Sequence, residues 1–115
     1  MTIKDVLLDM ERQFWLRGAD YFAHHITDDC LMVFPKPTGV MQREVIMKSV
    51  GQGARWESLE ISEENLTQPG KGVALLTYRA KARKKDRSYD TLAGSVYVDL
   101  DGAWKLAFHQ QTPIP

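Results

Sequence analysis

Asp101-Gly102 limits the fold of this chain more tightly than any other feature, because it divides the strand-rich stretch from Tyr89 to Pro113. A DG pair between alternating apolar runs is the strongest short-range signal for a β-hairpin. With those two residues as the turn, Asp99 should lie opposite Trp104, Tyr97 opposite Leu106, Ser95 opposite Phe108 and Ala93 opposite Gln110. Directly opposed residues share a sheet face. The expected core face therefore carries Ala93, Ser95, Tyr97, Asp99, Trp104, Leu106, Phe108 and Gln110. The other face carries Leu92, Gly94, Val96, Val98, Lys105, Ala107, His109 and Gln111.

Val73 to Lys84 extends the hairpin by one long strand. If Lys85-Asp86 is an even-numbered turn, Tyr78 lies opposite Ala93 and Ala82 opposite Tyr89. Leu76, Tyr78, Ala80 and Ala82 then join the core face, and Thr77, Arg79, Lys81 and Arg83 point away. A turn one residue longer or shorter would invert the assignment. The outer face gathers Val73, Leu75, Leu92, Val96, Val98 and Ala107, an apolar patch larger than a monomer usually leaves wet. A homodimer through this face is expected. The basic run Arg79, Lys81, Arg83, Lys84, Lys85 and Arg87 follows a stretch holding Glu57, Glu60, Glu63 and Glu64. Cross-strand charge pairs would account for both runs without a ligand.

The first half reads as helices around an early strand. Thr2 to Arg17 places Ile3, Val6, Leu7, Met10 and Phe14 at helical spacing, with Lys4, Asp5, Asp9, Glu11 and Arg12 mostly opposite. Thr2 and Asp5 fit a variant capping box, and Gly18 is a natural stop. Asp20 to Ile26 suits a short helix ending near Asp28-Asp29, whose acids read as turn and capping chemistry. Cys30 to Phe34 is a strand halted by the PKPTG turn. Gln42 to Val50 is a third helix, with Val45, Ile46, Ser49 and Val50 towards the core. Trp56 to Ile61 is a strand of unsettled facing, followed by turn material at Glu63-Glu64-Asn65 and PGKG. Helices first and antiparallel strands after imply an α+β domain.

At 115 residues the chain is expected to be one domain, 1–115, with room for a real core. Fifteen basic residues balance fifteen acidic ones, which argues against a nucleic-acid binder. Cys30 is the only cysteine, and a reducing cytoplasm is the simplest compartment. No apolar run is long enough for a signal peptide or a membrane span.

An ordered series of residues resembles the nuclear-transport-factor-2-like (NTF2-like) superfamily, in its SnoaL-like or DUF4440 branch, over essentially the whole chain. The series comprises Phe14-Trp15, Asp28-Asp29, Phe34-Pro35, Gly39-Val40, Leu76-Thr77-Tyr78-Arg79 and Ser95-Val96-Tyr97-Val98. It ends with Asp101 to Leu106 and Phe108 to Pro113. Tyr97 stands where close relatives often have tryptophan, and PKPTG replaces a single-proline turn. The resemblance implies a cone, in which a curved, antiparallel-rich sheet wraps three N-terminal helices and leaves a pocket at its open end. Many such proteins are homodimers. Some are isomerases, dehydratases, cyclases or hydrolases, and others only bind ligands or partners.

Small residues among large aromatics on the inward face leave room for a small apolar molecule. Expected ligand contacts are Trp15, Phe34, Tyr78, Ser95, Tyr97, Phe108 and Gln110. For acid–base chemistry the candidates are Tyr78, Tyr97, His25 and Asp28. His25, one turn from Tyr21, reads either as a proton shuttle or as a satisfied, partly buried side chain. By the hairpin parity His109 faces outward, as an interface residue. The histidine spacing lacks carboxylate support for a metal, and no cofactor is expected. Cys30 reads as packing. Three functions remain: a homodimeric small-molecule-binding domain, an acid–base enzyme on a small apolar substrate, and a ligand-free dimerisation module.

Overall fold

The computed structural model describes Met1–Pro115. Helix α1 (Ile3–Leu16) begins at the capping box read from the sequence. The Asp5 amide donates to Thr2 Oγ1 at 3.1 Å and the Thr2 amide to Asp5 Oδ2 at 3.3 Å. Its buried stripe is Leu7, Leu8, Met10, Glu11, Phe14 and Trp15. Helix α2 (Ala19–His25) starts at Gly18 and buries Phe22. Strands β1 (Ile26–Phe34) and β2 (Gly39–Gln42) flank the proline turn, and α3 (Arg43–Gly51) follows. The remaining strands are β3 (Ser58–Gly70), β4 (Val73–Lys84), β5 (Arg87–Leu100) and β6 (Ala103–Pro113).

The six strands form one sheet in the order β2-β1-β6-β5-β4-β3, and the three helices pack against it, an α+β arrangement of the kind the resemblance implies. Only β1 and β6 pair in parallel. The core gathers Leu7, Phe14, Trp15, Ile46, Leu76, Tyr78, Tyr97 and Leu106 between helices and sheet. No helix is long and apolar enough to cross a membrane.

The turn chemistry fixes the central register. Asp101 has φ 54° and Gly102 φ 90°, the positive angles a tight hairpin turn requires. Asp99 pairs with Trp104, Tyr97 with Leu106, Tyr78 with Ala93 and Ala82 with Tyr89, all as the sequence implies. Four details depart from expectation. A bulge leaves Ala107 unpaired, so Val96 meets Phe108, Ser95 meets His109 and Ala93 meets Gln111. One extra residue inverts parity beyond it. Phe108 and Gln110 therefore lie on the outer face, and His109 on the inner one. Secondly, β1 starts at Ile26, which places Asp28 and Asp29 within a strand rather than a turn. Thirdly, Gly39, read as the end of the proline turn, opens a further strand, β2. Fourthly, β3 continues through Glu63-Glu64-Asn65, where the register shifts and Glu63 has φ 56°, instead of stopping there.

Helix α3 docks through fewer residues than its sequence suggests. Ile46 is fully buried whereas Val45 is 51% exposed. Ile46→Ala should cost about 2–5 kcal/mol in urea denaturation, and Val45→Ala should leave the midpoint nearly unchanged. Equal losses would mean that α3 is rotated from this orientation.

Candidate functional site

A cavity of about 580 Å³ opens between the helices and the sheet. Its walls come from α1 (Phe14, Trp15), β1 (Met32, Phe34), the proline turn, α3 (Ile46, Val50), the Arg55-Trp56 segment, and β6 (Leu106, His109). Ala80, Ala82, Ala93 and Ser95 do not border it. These small side chains, all buried, lie in the core beneath the helices, and the opening falls nearer β1 and β6.

Glu11 lies at the floor and is 1% exposed. Tyr78 and Tyr97 each donate a phenolic hydrogen bond to it, one to each carboxyl oxygen. The Trp15 indole N–H donates in turn to the Tyr78 oxygen at 2.9 Å. A buried carboxyl without such donors would be strongly unfavourable. Burial, together with the negative Glu11, pushes the pKa of both phenols well above the ordinary tyrosine value. They are donors that do not ionise near neutrality.

His109 completes the cluster. Its Nδ1 lies 2.7 Å from Ser95 Oγ and 3.6 Å from Glu11 Oε1. Gln111 Nε2 donates to His109 Nε2 at 3.0 Å, which leaves the ring proton on Nδ1. Burial lowers the His109 pKa below 6.5, and the Glu11 charge opposes that shift. The result is a neutral imidazole in the cavity wall, with a carboxyl behind it that would stabilise the charged form.

The sequence-derived candidates separate into groups. Trp15 and Phe34 line the cavity. Tyr78, Tyr97 and Ser95 face inward but lie behind Glu11 and His109, not on the cavity surface. Phe108 and Gln110, expected inside, face out because of the bulge. His25 stacks on Tyr21 at 3.8 Å and its Nδ1–H donates to the Tyr21 carbonyl at 2.7 Å, away from the cavity. Asp28 is exposed beside a separate groove with Asp29 and Arg43. Cys30 is buried, and burial pushes its thiol up to about 12. No three His, Cys, Asp or Glu side chains gather closely enough to hold a metal ion.

Glu11 and His109 escaped the sequence reading for different reasons. Glu11 sits four residues after Leu7 and four before Trp15, midway along the buried stripe, so its spacing was a usable signal. His109 was hidden by a bulge that no residue type marks.

Two measurements test this cluster. Glu11→Leu leaves two buried phenols without acceptors and should cost about 2–5 kcal/mol. Adding Tyr97→Phe, which removes one stranded phenol while Tyr78 still accepts from Trp15, should recover part of that loss in urea denaturation. A double variant no more stable than the single one would argue against the network. Secondly, His109 binds its proton less readily when folded. Its contribution is therefore complete above the unfolded value of 6.5 and is lost as pH falls through the lower folded value. Between pH 7.5 and pH 5 the wild-type urea midpoint should fall further than that of His109→Gln; equal falls would contradict a buried neutral His109.

No family model matches the chain, and no curated protein sequence does. Solved structures do. An NTF2-like protein of unknown function in nutrient uptake from Rhodospirillum rubrum matches with a TM-score of 0.85 at 17% identity, over 99% of this chain and 100% of that one. A candidate ketosteroid isomerase from Parabacteroides distasonis matches at 0.83 and 14% identity, over 98% of this chain and 89% of that one. The association domain of C. elegans CaMKII matches at 0.79 and 13% identity, over 96% of this chain and 92% of that one. The chain therefore has the NTF2-like fold that its residue series implied.

Proposed function

We propose that residues 1–115 form a single SnoaL-like domain, DUF4440-like in its residue series, that binds a small, largely apolar molecule inside the cone. It acts as a homodimer in the cytoplasm. The observation that carries the ligand-binding reading is the open cavity of about 580 Å³, lined by Phe14, Trp15, Met32 and Phe34 and floored by polar groups that are already satisfied. That volume lies within the usual range for small-molecule sites, roughly 300–1,000 Å³. A dimerisation module with no ligand would have little reason to keep such a space.

Acid–base catalysis is the second reading, favoured by His109. Its Nε2 accepts from Gln111, a partly exposed side chain on the cavity wall, and its Nδ1 lies near Glu11. A substrate displacing Gln111 would meet a neutral base whose protonated form Glu11 stabilises. This reading puts the reacting groups on Glu11 and His109, with Tyr78 and Tyr97 as supports. The likeness to a candidate ketosteroid isomerase agrees with it.

The dimer reading rests on the outer sheet face. Leu75 is 38% exposed and Leu92 47%, beside Val73, Val96, Val98 and the outward Phe108. Likeness to an association domain supports self-association.

Binding is tested with N-phenyl-1-naphthylamine, a neutral fluorescent probe. Its emission should rise on binding, and Val50→Trp, which fills the cavity, should abolish the rise while the protein stays folded. No rise with the wild type at millimolar protein would remove the cavity from consideration. Sedimentation should show a dimer at micromolar concentration and a monomer for Leu92→Glu; a wild-type monomer would refute the interface.

A further inference from the structure

The charges around the cavity are not balanced as the chain as a whole is. The sequence has fifteen acids and fifteen bases, yet the cavity wall carries Lys36, Arg55, Lys84 and Arg87 against Glu11 alone. Glu11 sits at the floor and is engaged by Tyr78 and Tyr97. None of the four cations has a carboxylate within ion-pair distance. The ion pairs of the molecule join Arg79 to Glu63 and Asp90, and the neutral His109 lies 3.6 Å from Glu11. The expected cross-strand neutralisation of the basic run thus holds at Arg79 and fails at Lys84 and Arg87. Glu57 is used instead as an acceptor for the Lys85 amide, at 3.1 Å.

Two of these cations converge on one indole. Lys84 Nζ lies 4.6 Å from the Trp56 ring centre and Arg87 Cζ 5.9 Å from it, whereas Arg55, the residue before Trp56, holds its Cζ 5.6 Å from the Phe22 ring centre on the same cavity wall. Trp56 stacks on Tyr89 at 5.8 Å and 15°. Lys84 is tied down by the Ala54 carbonyl at 3.0 Å. Arg55 is partly buried. Its Nε donates to the Arg17 carbonyl at 2.8 Å, and its Nη2 donates to Phe14 and Trp15 carbonyls at 2.6 and 3.1 Å. These bonds hold the guanidinium at the C-terminal end of α1, and Nη1 has no partner in the protein. A positioned cation with an unused donor, on the wall of an open cavity, is half of a charge-assisted hydrogen bond.

We propose that the ligand of this cavity is an organic acid, with its anionic head held at Arg55, Lys84 and Arg87 beside Trp56 and its apolar body directed inward. The proposal rests on the ligand-binding reading above and narrows it from an apolar molecule to an amphipathic anion. The head needs the chemistry that carboxylate and phosphate share: negative oxygens that accept from a guanidinium and an ammonium at once.

The probes are 2-naphthoate and its neutral counterpart 2-naphthamide, titrated calorimetrically at low salt. The wild type should prefer 2-naphthoate by about tenfold, a preference that shrinks as salt rises. Lys84→Met with Arg87→Met should cut that preference by about threefold or more, chiefly by weakening 2-naphthoate, with Arg55 keeping the remainder. Arg55 is left intact because it caps α1. Equal wild-type affinities would overturn the anionic head and leave the cavity reading standing. A preference undiminished by both substitutions would overturn its placement at this corner. If neither probe binds at millimolar concentration, the ligand-binding reading fails and this proposal with it.

Discussion

A carboxyl group buried under a helix, each oxygen taken by a tyrosine, holds this fold to one arrangement. Glu11 would be intolerable in an apolar core without donors, and Tyr78 and Tyr97 supply them from two adjacent strands. Helix α1 cannot turn on the sheet without breaking both bonds. A shift of one residue rotates a helix face by about 100°. With α1 fixed, Phe14 and Trp15 become cavity walls, and the last carbonyls of α1 become the acceptors that position Arg55. Floor, wall and cationic corner thus descend from one hydrogen-bonded cluster.

What could be read in the sequence follows from where local chemistry is strong. Asp101-Gly102 demanded positive φ angles and delivered the register of Tyr97 and Leu106. The even turn at Lys85-Asp86 carried it across to Tyr78 and Ala82. The capping box of Thr2 and Asp5 set the first helix start. These are contacts between near neighbours. Features decided by distant packing were harder. Asp28 and Asp29 look like a turn because they fall in the register shift between Ile26 and Leu31, where β1 runs beside β6, and Glu63 because it falls in the shift between Ser62 and Asn65, where β3 runs beside β4. Glu11 looked solvated because an acid in an apolar stripe makes sense only once its tyrosine partners, more than sixty residues away, are known.

The unpaired Ala107 has consequences on both faces of the sheet. A hairpin without it would bury Phe108 opposite Ser95 and expose His109. With it, Ser95 meets His109 instead, and the inner face gains a titratable ring where it would have had a hydrocarbon one. The outer face gains Phe108 beside Val96, on the same side as Leu75 and Leu92. Bulges tend to re-aim side chains in this way near functional sites. Here a single inserted residue feeds the acid–base reading on one side and the dimer reading on the other.

The cavity is polar along its length as well as across its walls. The buried Glu11 carboxyl lies on one part of its wall, and Lys84 and Arg87 lie beside Trp56 on another, with Arg55 on the wall near Phe22. An anion entering head first would approach Glu11 and be repelled, in surroundings where charges are poorly screened. The same anion entering tail first keeps its charge beside the three cations and offers the inner wall an apolar or weakly polar end. That end is the one His109 Nε2 would meet. On the organic-acid proposal the arrangement would do more than attract the ligand: it would orient it, with a neutral part towards the only imidazole on the cavity wall.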